Sequence, residues 1–258
     1  MVKRRRLIRL LWTGGWDSTY RLLLLSREDV VVEPHYLLDE SRKSSKQELR
    51  AMEAITRLIK EDPRTRFLLL PLVLQKVSEI EVLPKLQAAW ARLHANSGLG
   101  RQYVWLAAYA RLVSGLEFSC EKAEAGHVMQ LVEKRGRLRQ WEQGVFAYQQ
   151  LDPQATEPDL MLLLGGFYFP VSVYERRKRE MKEDYLMLGA AEVMHLTWFC
   201  HRPYRGEPCG LCVPCRDALE EGLDFRFTRR GLFRARHRLF FRGLRWFRNR
   251  WREKKARE

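Results

Sequence analysis

Apolar runs of strand length alternate with stretches of helical spacing in the first third of this chain, and that alternation constrains the fold most. Residues 7–12 are apolar except for Arg9, a Gly14-Gly15 turn follows, and residues 17–26 read as a helix. Residues 30–38 then read as a second strand, 45–60 as a helix, and 67–74 as a third strand. Each helix returns the chain to the edge from which the next strand starts, so consecutive strands run parallel. The expected fold class is α/β, a parallel sheet with helices on both faces.

Beyond residue 75 the expected order is a polar helix over 79–95, a loop over 96–102, an Ala-rich helix over 103–113 and a short fourth strand over 116–120. The hydrophilic stretch 121–158 reads as a loop-rich insertion or a weak hairpin. Residues 160–170 read as a strand pair or as one strand and a turn, and 173–188 as a helix. With 258 residues, 46% of them hydrophobic, the chain can bury one substantial core, expected over 1–223, with an extension over 224–258.

Charge is unevenly spread. The formal net charge is +15, and residues 225–258 carry fourteen Lys and Arg against two Glu, so about +12 of the excess sits there. A whole-surface polyanion binder is thereby excluded, and any such contact falls to the tail. Phe240, Leu244, Phe247 and Trp251 lie at i, i+4, i+7 and i+11, one apolar stripe on a basic helix. That stripe suits packing on the domain or on a second copy, contact with a polyanion through 225–258, or an anionic membrane. No apolar run reaches the roughly 20 residues of a spanning helix, and a cytoplasmic location is expected.

Thr13-Gly14-Gly15-Trp16-Asp17-Ser18-Thr19 follows the first strand and opens the first helix. Glycines let backbone approach phosphate, and a helix N-terminus offers unpaired N–H groups and a positive dipole end. Ser18 and Thr19 add hydroxyls, and Asp17 suits a magnesium ion bridging phosphate oxygens. The bland alternative is an ordinary tight turn with Asp17 or Ser18 as helix cap. Spacing excludes both a Walker A loop and the dinucleotide fingerprint.

Cys200, Cys209, Cys212 and Cys215 follow a Cys-x8-Cys-x2-Cys-x2-Cys pattern, with Pro208, Gly210 and Pro214 between them. Four thiolates complete a tetrahedral zinc site and leave no open position; an iron–sulfur cluster is the competing occupant. Such clustering points to metal in a reducing compartment rather than to disulfides. His195 and His201 flank the segment and read as structural or exposed, and Cys120 as a buried small hydrophobe.

With both motifs in hand, the chain resembles the 7-cyano-7-deazaguanine synthase family (queuosine biosynthesis protein C) of the PP-loop, adenine nucleotide alpha hydrolase-like superfamily. The resemblance covers most of residues 7–223. Thr13-Gly14-Gly15-Trp16-Asp17-Ser18 is similar to the family's Ser-Gly-Gly-x-Asp-Ser loop, and residues 197–200 with 208–216 to its zinc segment. Gln47-Glu48-Leu49, Gly100-Arg101-Gln102 and Lys178-Arg179-Glu180-Met181 agree more weakly. Two features depart from the pattern: residues 121–127 have no counterpart of the acidic and aromatic stretch after the fourth strand, and the tail is extra.

The resemblance implies a PP-loop ATPase-type fold with a zinc knuckle, acting as a ligase that activates a 7-deazaguanine carboxylate with ATP for amide and nitrile formation. Thr13, Gly14, Gly15, Asp17, Ser18 and Thr19 would bind ATP and Mg2+, with Asp17, Ser18, Arg101 and Lys178 catalytic and the four cysteines holding Zn2+. A homodimer and a small-molecule deazapurine substrate are expected. Two alternatives remain: transfer of the activated base to a protein amine, as in relatives resembling parts of bacterial antiviral operons, and modification of tRNA or DNA held by the tail.

Overall fold

The computed structural model describes residues 5–121 and 127–241, which fall into two compact units. One comprises the chain up to Glu40 and Glu48–Thr197; the other comprises Ser41–Gln47 and the chain from Trp198 onward. The division between the units falls at 197/198, and the cysteine segment packs with the first turns of the basic extension.

In the first unit the strands are β1 (Arg6–Leu11), β2 (Val30–Leu38), β3 (Leu68–Leu69), β4 (Val73–Lys76), β5 (Leu116–Glu117), β6 (Leu138–Trp141), β7 (Tyr148–Leu151) and β8 (Phe167–Pro170). They form one sheet in the order β3-β2-β1-β5-β8-β7-β6, with β4 also on β2. Pairing is parallel from β3 through β8 and antiparallel at β8–β7 and β7–β6. The α/β class and its mostly parallel, helix-flanked sheet match the sequence expectation, and the antiparallel edge is an addition to it.

The helices α1 (Trp16–Ser26), α2 (Ser45–Glu61) and α4 (Gln102–Leu112) lie within a residue or two of expectation. α3 spans Pro84–Ser97, with Pro at its first turn and Gly98 in the left-handed region as its stop. The third strand divides into β3 and β4 around Pro71, whose missing N–H cannot serve a ladder. The stretch over 121–158 contains α5 (His127–Arg135) and the β6–β7 hairpin, so the hairpin alternative holds and the loop-rich one does not. Residues Pro158–Leu164 form α6 instead of a strand, since Pro sits at its first turn and Leu160, Leu163 and Leu164 share its buried side. The helix expected over 173–188 is two, α7 (Val171–Tyr174) and α8 (Lys178–Met187).

Helices α3, α4 and α6 pack on one another, and with Leu11, Leu116, Phe167 and Phe169 of the sheet they form a continuous apolar core. α1 packs against α7 and α8 instead. From β1 the chain moves to β2 and β3 on one side and returns to β5 on the other. A doubly wound sheet leaves its crevice at such a reversal, at the carboxyl ends of the strands.

The second unit holds α10 (Val213–Glu220), α11 (Arg229–Arg236) and the cysteine segment; α9 (Ala191–Leu196) precedes it in the first unit. Leu244, Phe247 and Trp251 of the expected stripe lie outside the described residues.

Candidate functional site

The loop leaving β1 is held by backbone. Trp12 N–H donates to His35 O at 2.9 Å, which extends the β1–β2 pairing one residue further. Gly14 then takes φ +65°, and a Cβ there would lie 3.0 Å from Met52 Cγ and 3.1 Å from Glu48 O, both on α2. Only glycine meets both demands at low cost. Gly15 is the N-cap of α1 with extended backbone, and it has no side chain to accept from the helix's first N–H groups. The first turn of α1 is fixed from the other side: Tyr185 of α8 donates its hydroxyl to Trp16 O at 3.1 Å and stacks edge-on against the Trp16 ring.

Within this loop the expected site residues separate. Thr13 is exposed, Asp17 half-buried and Ser18 buried. Thr19 is fully buried, and its Oγ1 accepts from Trp12 Nε1 at 3.0 Å. Its side chain therefore ties α1 to the end of β1.

On the other side of the chain reversal is the segment leaving β5, the strand beside β1. Phe118 N–H still pairs with Tyr168 O at 2.9 Å, after which Ser119, Cys120 and Glu121 turn out of the sheet. Glu121 is buried and receives the backbone N–H of Lys178 at 3.1 Å together with the Lys178 ammonium. One carboxylate thus seats the start of α8 and neutralises its first side chain. Burial pushes the Cys120 thiol up; the nearby charges of Asp17 and Glu121 push it further, and Lys178 pulls it back. The exit of β5 and α8 are joined by the Glu121–Lys178 contact, and α8 reaches the first turn of α1 through Tyr185; beside them the Cys120 thiol is no thiolate nucleophile at neutral pH.

Lys178 is brought to Asp17's side of the molecule; Arg101 is placed differently. It lies exposed at the N-terminal boundary of α4, after a loop pinned through Leu99 O by Trp90 Nε1 at 2.9 Å and His94 Nδ1 at 2.8 Å. Among the described residues no hydrogen bond or ion pair joins Arg101 to Asp17 or Lys178. Sequence reasoning missed Glu121. The available signal was positional: an acid just past the strand on the other side of the chain reversal.

Beneath the site lies a second arrangement that sequence did not reveal. Arg21 of α1 and Glu117 of β5, 0% and 2% exposed at the side chain, form a two-pronged pair at 2.7 and 2.9 Å. Arg21 also donates to Tyr148 Oη at 3.0 Å, Val145 O at 2.6 Å and Ser172 Oγ at 3.2 Å, and Tyr148 donates to Glu117. Burial works against the Arg21 charge and Glu117 outweighs it, leaving the guanidinium above its ordinary value. This network ties the helix that carries the loop to β5 and to the antiparallel edge.

In the second unit the four cysteine sulfurs lie within 4.8 Å of one another, with Cys212–Cys215 at 3.4 Å and Cys209–Cys215 and Cys212–Cys200 at 3.9 Å. Tetrahedral zinc with Zn–S near 2.3 Å requires sulfurs about 3.8 Å apart, so the cluster fits such an ion. Backbone N–H groups of Cys209, Leu211 and Cys212 donate to Cys200 or Cys209 sulfur at 3.2–3.3 Å, which supports thiolate charge. These four cysteines can hold a metal such as zinc. His201 lies with Arg42, 3.2 Å from its guanidinium, and the donor set is complete without it.

No protein-family model matches the chain, and no curated protein matches it. Among the described residues no helix is long and apolar enough to cross a membrane.

Proposed function

We propose that this chain is a PP-loop ligase that adenylates a 7-deazaguanine carboxylate and passes the activated carbonyl to an amine. The observation that carries the reading is the convergence, across the chain reversal between β1 and β5, of a glycine-cradled helix N-terminus, Asp17 and the Lys178–Glu121 pair. The resemblance in the two motifs supplies the substrate class.

In this reading the N–H groups opening α1, with Ser18, bind the ATP phosphates, and Asp17 would hold the magnesium ion that offsets their charge. A carboxylate oxygen of the base attacks the α-phosphorus, the bond to the bridging oxygen breaks, and pyrophosphate leaves. The amine nitrogen then attacks the carbonyl carbon, AMP departs with the bonding pair, and the nitrogen gives its proton to solvent. With ammonia, the amide oxygen attacks the α-phosphorus of a second ATP and pyrophosphate leaves; departure of AMP with the C–O bonding pair and loss of both protons from nitrogen then leaves the nitrile. Such chemistry rests on positioning and charge stabilisation, which suits a site without an activated nucleophile. Arg101, on its exposed loop, is assigned to charge neutralisation by resemblance. Zinc is the assigned occupant of the cysteine cluster, with a structural role.

Mass spectrometry after incubation with ATP, Mg2+, 7-carboxy-7-deazaguanine and ammonia tests the reading: AMP with amide or nitrile is expected, and Asp17→Ala should abolish both. ADP in place of AMP, or identical turnover in Asp17→Ala, overturns it. The departure at residues 121–127 favours a second acceptor, a protein amine; base bound covalently to protein would select it.

A further inference from the structure

We infer that α11 and the helical residues that follow it, through Phe241, form a docking surface for an anionic lipid bilayer. The helix has two unlike sides. On one, Gly231 and Ala235 are buried against the cysteine knuckle: a Cβ at Gly210 would lie 2.5 Å from Gly231 O and 2.7 Å from Ala235 N. Arg234 continues that side, donating to Cys209 O and Pro208 O at 3.0 Å each. Thr228 caps the helix by accepting from Gly231 N–H at 3.1 Å.

Because this side is held by backbone proximity and by hydrogen bonds to the metal-binding turn, the helix cannot roll its other side inward. That other side carries Phe233, 57% exposed, and the helical residues resuming after His237 add Leu239 at 78% and Phe240 at 66%. Phe233 and Phe240 both lie against Phe241, so the three rings form one connected cluster, and Leu239 adds an exposed aliphatic group next to Phe240 in sequence. Arg229, Arg230, Arg236 and Arg238 on the same segment are exposed as well. Beyond residue 241 the sequence adds eight further Lys and Arg against two Glu, with Trp246, Phe247 and Trp251 among them.

Large apolar groups set among arginines match a bilayer interface, where rings and aliphatic chains enter the acyl boundary while guanidinium groups meet phosphate. A nucleic acid fits less well. Single-stranded bases stack on aromatic faces, whereas Leu239, an aliphatic side chain, is the most exposed large hydrophobic group among the described residues. The inference stands apart from the ligase reading and requires no turnover.

The test is sedimentation of the full-length, metal-bound protein with vesicles of phosphatidylcholine alone and with about one-third phosphatidylglycerol, at about 0.15 M salt. Binding at least about tenfold tighter to the anionic vesicles is expected, as is a loss of about tenfold or more in Leu239→Ser/Phe240→Ser. Both side chains face solvent, so the variant should keep its zinc content and circular dichroism; Arg236→Gln/Arg238→Gln provides a second, charge-only variant with weaker anionic binding. Equal affinity for the two vesicle types, or unchanged binding by the Ser variant, overturns the inference. So does the absence of vesicle binding accompanied either by tight, salt-sensitive binding of single-stranded RNA or by a dimer that the Ser variant dissolves.

Discussion

Two turns in this protein depend on a left-handed glycine pressed against a helix, and they are secured by different means. Gly14, at φ +65°, is seated on α2 within a unit whose sheet and helices share an extensive apolar core. Gly210, at φ +76°, is seated on α11 within a smaller unit whose buried centre is three cysteines with Trp198, Phe199, Leu211 and Phe227 around them. A large unit can hold a left-handed turn by burying the elements behind it. A small one has less apolar area to do so, and its four cysteines, which can hold a metal, offer a cross-link instead.

The sharpest way to break this contrast is to remove the metal. Chelation, or Cys212→Ser, should abolish amide-exchange protection over residues 198–241 while protection in β1, β2 and β5 persists. Apparent binding free energies of about 10–16 kcal/mol for structural zinc make this the largest effect. Simultaneous loss in both units would show that the first also depends on metal.

Next in size is the buried pair under the loop. Arg21→Met should cost about 3–5 kcal/mol in denaturant unfolding, because it strands the Glu117 carboxylate, and Arg21→Met/Glu117→Leu should cost far less than the two single changes summed. Additive losses would mean that the pair acts through shape rather than charge. Gly14→Ala should then cost about 2 kcal/mol, from the positive φ and the contact with Met52, and should lower ATP turnover by more than stability alone predicts. Normal turnover in the Gly14→Ala variant would remove the loop from the proposed site.

A smaller effect tests the core of the first unit by pH. Burial holds the His35 imidazole below its ordinary 6.5; Glu33, against Nε2 at 2.8 Å, opposes this, and Arg9 reinforces it. Tyr109 closes the other side, 2.7 Å from Nδ1. The unfolded chain therefore takes up the proton first on acidification. Stability should be full above about pH 6.5 and fall, by at most about 1.4 kcal/mol per pH unit, as pH drops toward the depressed value. His35→Gln should flatten that slope in urea titrations, and an unchanged slope would assign it elsewhere. Smallest of all, Arg92→Ala removes an exposed partner of Asp159 and should leave the thermal midpoint unchanged.

The sequence by itself determined the α/β class, the position of the loop after β1 and the four cysteines that can hold a metal, because each is local. Strand and helix periods, a Gly-Gly turn and short cysteine spacings are all set within about twenty residues of chain. It did not disclose that residues 158–164 are helical, where one apolar run fits either period. Nor did it show that Thr19 turns inward or that Arg21 meets Glu117, 96 positions away. Glu121 looked like one more acid in a polar stretch until the fold laid the exit of β5 beside the start of α8. Those relations are long-range pairings of charge and shape, and only the tertiary structure, by choosing which strand ends and helix starts become neighbours, could decide them.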